Sequence, residues 1–290
     1  MLVYLPTQTI HPTSAFVHLD PMAFFYKTSI AIGLFTALFI TGSSVAQTSL
    51  PLNKGTLYFS WGYNREAYSK STIRFRNTTT DNYDFTFIDA KARDEPDMDE
   101  FYKITHLTIP QYQMNAGYFF KNSNGWGIEV SWDHLKYFVI DDQLIHVRGQ
   151  IRGHQIDKDT LVVPSFVHLQ HTNGNNYLMV NVVKKWRISQ GKHLSLDVVA
   201  KAGAGPLVTY TISTVLGNFD KGHFHPQGWV AGLTGGLKLN IYQRFFVQAD
   251  GQGAYADYTG TELGADHVGR ATHHFMSGAF MYRFGVNIPL

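Results

Sequence analysis

From Gly55 to the C-terminus, apolar and polar residues alternate one by one over stretches of about ten residues. The segment 126–138 is the clearest case. Trp126, Ile128, Val130 and Trp132 fall on one side of an extended chain, and Glu129, Ser131 and Asp133 on the other. Successive side chains of a strand point to opposite faces, so this segment has one apolar and one charged face. Strands of this kind, repeated and closed on themselves, can cross a membrane with lipid outside and a polar lumen, because closure leaves no backbone group unpaired in hydrocarbon. The pattern predicts an all-β fold, an antiparallel up-and-down transmembrane barrel. The chain contains no cysteine, which excludes a disulfide scaffold and leaves the hydrogen-bonded sheet to supply stability.

Eight principal strands are predicted, near 55–64, 110–120, 125–140, 165–188, 193–210, 229–241, 244–258 and 273–287. Their linkers alternate strictly in length. Short ones lie at Lys121–Gly125, Ser189–His193 and Tyr242–Arg244, and long ones at 65–109, 141–164, 211–228 and 259–272. Outer-membrane barrels keep short turns in the periplasm and long loops outside. That sorting puts both termini on the periplasmic side and requires an even strand number, which eight satisfies. Within the first long linker, Thr72–Arg76 and Tyr83–Ala90 also read as strands. They predict either a hairpin that extends the sheet above the membrane or an extra pair that makes the barrel ten-stranded.

The N-terminus reads as a targeting segment. Lys27 precedes the apolar run Ser29–Thr41, and small residues lead to a cleavage site after Val45-Ala46. The run is shorter than the roughly 20 residues a helical span needs. Residues 22–46 are therefore expected to be a signal peptide and 47–290 the barrel domain. Residues 1–21 fit neither, and Met22 is the expected start. Lys and Arg (24) nearly balance Asp and Glu (22), with no basic block, so nucleic acid is not an expected partner.

The polar faces carry Glu129, Asp133, Asp197, Lys201, Lys238, Asp250 and Arg283. The interior of an eight-stranded barrel is just wide enough for side chains to fill it, and buried charges must pair. A salt-bridged lumen is predicted, not a wide pore; a narrow polar pore or a small-ligand cavity are the alternatives. The acidic run Asp94–Glu100 matches no calcium-loop spacing and is expected to be a solvated loop.

Three further segments could carry chemistry. His223 and His225 are two apart, share a strand face and could chelate, but no third ligand follows from spacing; no metal and no other cofactor is expected. His171, with Thr172 and Asn173, lies in strand four beside Gly174-Asn175-Asn176, where a bulge is expected. Trp132, His134 and Lys136 read as an interfacial cluster, with Asp133 facing the lumen and His134 facing out.

The segments Gly55–Asn64 (GTLYFSWGYN), Asn115–Phe120 (NAGYFF), Ala200–Gly205 (AKAGAG) and Met281–Val286 (MYRFGV) resemble those of small outer-membrane barrels of Gram-negative bacteria, in the style of the Bacteroidetes. The resemblance implies the outer membrane as location and export through the general secretory pathway. Outer-membrane lipid and lipopolysaccharide, the barrel assembly machinery, and an extracellular or periplasmic protein are the implied partners. Such barrels include structural anchors, adhesins, immune-evasion proteins and lipid-modifying enzymes. The C-terminus Asn287–Leu290 departs from the pattern by lacking a terminal aromatic, with Phe284 its nearest substitute. Gln170–Gly174 loosely resembles the His-x-Ser region of the lipid A deacylase barrels, in which histidine is the base and serine the nucleophile. Here His171 would be the base, but Asn173 stands at the serine position. The one His-x-Ser of the mature chain, His193/Ser195, lies by a periplasmic turn. The resulting reading is an outer-membrane barrel with a structural or interaction role. The alternatives are a lipid-modifying enzyme using His171 and a soluble lipocalin-like binding barrel with its apolar face inward.

Overall fold

The computed structural model describes residues 55–95 and 110–290. The signal segment, the upstream residues and most of the acidic run Asp94–Glu100 lie outside the described residues. Every regular element among the described residues is an antiparallel strand. In chain order these are β1 (Thr56–Tyr68), β2 (Ser71–Asn77), β3 (Tyr83–Ala90), β4 (Ala92–Arg93), β5 (Tyr112–Phe119), β6 (Trp126–Val139), β7 (Gln143–Ile151), β8 (His154–Val162), β9 (Val167–Gln190), β10 (Leu194–Val215), β11 (Asn218–Asp220), β12 (Phe224–Ile241), β13 (Phe245–Leu263) and β14 (Gly269–Pro289).

Eight of them form a closed ring in the order β1-β5-β6-β9-β10-β12-β13-β14. It closes where β14 returns to β1, from Thr56↔Pro289 to Tyr68↔Ser277. All eight predicted strands are in this ring. Thr56 also pairs with Phe119, so both ends of the ring lie at the level of the short turns. In the tightest of these turns, Tyr242 (φ 50°) and Gln243 (φ 58°) are both left-handed, the twist that a two-residue hairpin needs.

In the lower part of the ring, next to the short turns, the apolar face points out. Val130 (58% exposed), Val182 (56%) and Leu233 (69%) stand free, while Glu129 (1%) and Arg283 (1%) are buried inside. Phe59, Trp126, Trp132, Trp229, Phe245, Phe280 and Phe284 are exposed on the same outer surface. This is the polarity of a lipid-facing band around a polar lumen.

Above the band the polarity inverts. Past Tyr68 the chain leaves β1 and adds β2 to the upper end of β14, pairing Arg74 with Thr272 and Arg76 with Arg270. β3, β7 and β8 follow in the same sheet. The 72–90 hairpin thus raises the wall without adding strands to the ring. The linker 141–164, expected to be a loop, is the β7–β8 hairpin, turned at Arg152 (φ 50°) and Gly153 (φ 86°). Ile73, Phe75, Phe85, Phe87, Ile145, Val147 and Leu169 face inward and are buried in one core. Arg74, Arg76, Arg148, Asp157 and Asp159 face outward and are exposed. This upper half therefore has the greasy-inside, charged-outside order of a protein in water.

β9 runs through both halves, and the expected bulge lies between them. Its register slips against β10 at Thr209/Tyr210. Asn173 (φ 50°) and Gly174 (φ 132°) form the slip. Because it adds two residues, not one, His171 below it in sequence and Asn175 and Tyr177 after it all face inward. A Cβ on Gly174 would lie 2.7 Å from Asn176 Nδ2 and 2.8 Å from the Phe224 ring. Gly174→Val is therefore expected to lower unfolding stability in detergent by about 1–3 kcal/mol. A denaturation midpoint equal to wild type would remove the requirement for glycine.

Candidate functional site

The lumen is built from the inward positions of the ring strands. Glu129 of β6 is its centre. Lys201 Nζ donates to Glu129 Oε1 at 2.7 Å, and Tyr58 Oη donates to Oε2 at 2.8 Å. Arg283 stands 3.8 Å from the same carboxylate and 2.9 Å from Asp250. Asp250 also accepts from Gln248 at 2.7 Å. These links join Lys201, Glu129, Arg283 and Asp250 into one chain of alternating charge across the barrel. The other three predicted lumen charges face inward but have separate partners. Asp197 pairs with Arg187 and accepts from Asn240 at 2.9 Å. Lys238 donates to Asn287 Oδ1 at 2.9 Å and sits 3.7 Å from the centre of the Phe246 ring. Asp133 accepts from Gln252 at 3.5 Å.

Arg187 and Tyr58 were absent from the predicted set. Tyr58 sits at an inward position of β1, so strand parity alone could have found it. Arg187 lies near the β9 end, where alternation fades. The space left among Gln113, Glu129, Asp133, Lys201, Thr234 and Gln252 is about 10 Å³, room for about one water.

An aromatic layer lies on top of the lumen. Tyr137 stacks on Phe275 at 4.6 Å, and Tyr68 meets both edge-on. The His171 ring lies flat on Tyr258, 4.4 Å between centroids. Its Nδ1 is 2.8 Å from Thr211 Oγ1, and its Nε2 is 3.0 Å from His273 Nε2. His273 Nδ1 is 3.1 Å from Ser71 Oγ. Two facing imidazole nitrogens can share only one hydrogen, one donating and the other accepting. The pair is a hydrogen-bonded link buried inside the barrel. Asn173 is exposed at the bulge and does not converge with His171. The hydroxyl beside His171 belongs to Thr211, 2% exposed.

The remaining sequence candidates divide by exposure. Trp132 is exposed as an interfacial residue would be, and Asp133 and His134 point to opposite faces. His134 and Lys136 are covered, with the Tyr112 ring stacked on His134 at 4.6 Å. Of the acidic run, Asp94 pairs with Arg65 at 2.9 Å. His223 and His225 are neighbours at the outer rim, 4.7 Å between ring centroids.

On the outer hairpin, His146 is clamped by its own sheet. Nδ1 lies 2.9 Å from Asp159 and Nε2 2.7 Å from Asp157. Both nitrogens must carry hydrogen to satisfy this geometry. The hydrogen bonds to Asp159 and then Asp157 raise the imidazole pKa above its ordinary value, and His146 in turn holds the Asp157 carboxyl low.

No protein-family profile matches the chain, and no curated protein matches it. Several solved structures are similar to it in strand pattern. Ail, the attachment invasion locus protein of Yersinia pestis, is 14% identical over 81% of this chain and 99% of its own, with a TM-score of 0.33. The outer membrane protein OprG of Pseudomonas aeruginosa is 9% identical over 83% and 98%, with a TM-score of 0.35. The N-terminal β-barrel domain of OprF from the same organism is 13% identical over 81% and 98%, with a TM-score of 0.31. The barrel assignment rests on the chain's own ring closure.

Two outcomes follow from these sites. Glu129→Gln leaves Lys201 and Arg283 without their shared counter-charge and should destabilise the barrel by about 3–5 kcal/mol. Glu129→Gln combined with Lys201→Met should cost less than the sum of the single changes. Additive denaturation free energies would show that the two side chains are uncoupled. The raised His146 pKa stabilises the folded hairpin at pH values below the ordinary imidazole pKa, and this contribution is lost as pH rises through the raised one. An NMR titration of the His146 ring should give a pKa above that of the Asp157→Asn, Asp159→Asn variant. Identical titrations would refute the clamp.

Proposed function

We propose that the chain is an outer-membrane barrel of a Gram-negative envelope, exported by the secretory route. Its role is structural or interactive, and it is not a solute pore. The observation that carries this reading is the inversion of polarity along the same strands. The half next to the short turns is apolar outside and charged inside, and the half next to the long linkers is the reverse. A chain in one solvent has no use for two orders; a chain that spans lipid and emerges into water needs both. A lipocalin-like barrel would need its apolar face inward throughout. The lipid-modifying alternative would rest on His171, which is fully buried against the rings of Tyr137, Tyr258 and His273.

The upper wall is a continuous hydrogen-bonded sheet, suited to presenting a surface. Arg74, Arg76 and Arg270 line an outer groove of about 420 Å³ with Thr259 and Thr272. This groove lies above the apolar band, at the height of an outer leaflet's anionic groups. Guanidinium forks and hydroxyls are fitting donors for phosphate, so lipopolysaccharide is the partner this surface suits. The outward aromatics of β14, Phe280 and Phe284, are the feature on which recognition by the barrel assembly machinery would rest.

Spin labels in reconstituted vesicles test the whole reading. A label at Val130→Cys should respond to a membrane-dissolved quencher and one at Ser131→Cys should not. Equal response at the two sites overturns the membrane orientation. A label at Thr272→Cys should be immobilised by lipopolysaccharide and not by phosphatidylcholine. Unchanged mobility with both would remove the lipid partner and leave the barrel reading intact.

A further inference from the structure

The outer rim brings together the last turn before β12, the end of β13 and the turn that leads into β14. His223 comes from the first and His225 from the adjoining start of β12, Glu262 from the second and His267 from the third. We propose that His223, His225 and Glu262 bind a divalent transition metal of the Zn²⁺ class, with His267 beside them.

Geometry is the first support. The ligand atoms of His223, His225 and Glu262 all lie within 4.8 Å of one another. His223 Nε2 is 3.7 Å from Glu262 Oε2, and His267 Nδ1 is 3.8 Å from the same oxygen. These separations are too long for hydrogen bonds. They are close to the edge of a tetrahedron with metal bonds of about 2.0–2.1 Å, roughly 3.4 Å. The contrast with His146 is direct. There an imidazole and two carboxylates close to 2.7 and 2.9 Å. At the rim the imidazoles of His223 and His267 stand back from the Glu262 carboxylate at 3.7 and 3.8 Å.

Unused polar atoms are the second support. His225 Nε2, His267 Nδ1 and Asp220 Oδ2 are buried with no hydrogen-bond partner. Groups of this kind cost free energy unless something satisfies them. His225 is oriented as a ligand: its Nδ1 lies 3.2 Å from the His223 carbonyl, so Nδ1 donates there and Nε2 keeps its lone pair. That is the outer-shell arrangement typical of metal-bound histidine. Glu262 is likewise held, since Arg270 donates to Oε1 at 3.3 Å and leaves Oε2 turned to the histidines. Asp220 Oδ2 lies 3.7 Å from His267 Nδ1, while Oδ1 accepts from the Gly222 amide at 2.8 Å.

The donor set selects the metal class. Imidazoles with one carboxylate suit Zn²⁺, Cu²⁺, Ni²⁺ and Co²⁺, whereas Ca²⁺ and Mg²⁺ require oxygen ligands throughout. A bound ion would tie the start of β12 to the end of β13 and pin the rim.

The test uses the full chain folded in detergent, stripped with chelator and titrated with Co²⁺, then displaced with Zn²⁺. One equivalent should bind with the intense visible absorption of tetrahedral cobalt, undisturbed by Ca²⁺ or Mg²⁺. Glu262→Gln should weaken binding by about tenfold or more, and His223→Ala with His225→Ala should abolish the band. His193→Ala, at the opposite end of the barrel, should leave it unchanged. Heat-modifiable gel migration reports whether each variant is folded. In the unsubstituted chain, Zn²⁺ should also protect His223 and His225, but not His154, from diethyl pyrocarbonate. Absence of the cobalt band, its persistence in the double variant, or equal modification with and without Zn²⁺ would each overturn the site.

Discussion

The ladder between β1 and β14 is the interaction on which everything else depends. It joins all thirteen residues of β1 to the last strand of the chain. Without it the ring would present two strand edges to hydrocarbon, where each unpaired amide or carbonyl costs several kcal/mol. Closure also sets the circumference. Eight strands enclose a space that side chains can just fill, so the charges on the inner faces are brought within reach of one another. The chain Lys201–Glu129–Arg283–Asp250 exists because the ring is this small. In a wider barrel the same residues would line a channel of water.

The second constraint is the change of solvent along the barrel axis. In the lipid-facing half the sheet hides charge inside and offers Val130, Val182 and Leu233 to the outside. Above it the sheet hides Phe75, Phe85, Phe87 and Val147 and offers Arg74, Arg76 and Asp157. The aromatic layer of Tyr68, Tyr137, Tyr258 and Phe275 lies where the two regimes meet. The His171–His273 pair belongs to this layer. Its polar atoms are satisfied from Ser71 on one side to Thr211 on the other, so it crosses an apolar region without an unpaired group. That accounts for a buried histidine without assigning it chemistry.

Much of this was legible before folding. The alternation at 126–138 placed Glu129 and Asp133 inward and Val130 and Trp132 outward, and loop lengths placed the termini with the short turns. Less of the site was legible. Parity showed which charges face the lumen but not that Asp197 would pair with Arg187 or that Lys238 would rest against Phe246. Those pairings depend on the register of adjacent hairpin strands, which a slip at Leu196/Asp197 shifts by one residue so that Arg187 lies opposite Asp197. The β7–β8 hairpin was missed although Ile145 and Val147 alternate with His146 and Arg148, because its outer face is as polar as a loop. Glu262 could not be joined to His223 and His225, because the three converge only across the gap between two strand ends.

The division has a physical basis. Backbone geometry gives a strand a period of two, a local property. The sequence alone therefore determined the eight ring strands, their two faces, their turns and the order of long and short connections. Which face becomes the inside is not local. It depends on what surrounds the wall at each height, and only the closed tertiary structure decided that the same alternation reads polar-in within the band and apolar-in above it. Cross-barrel contacts are of the same kind: they are set by ring closure and strand stagger, so the partners of Glu129 and His171 emerged only when β1 and β14 met.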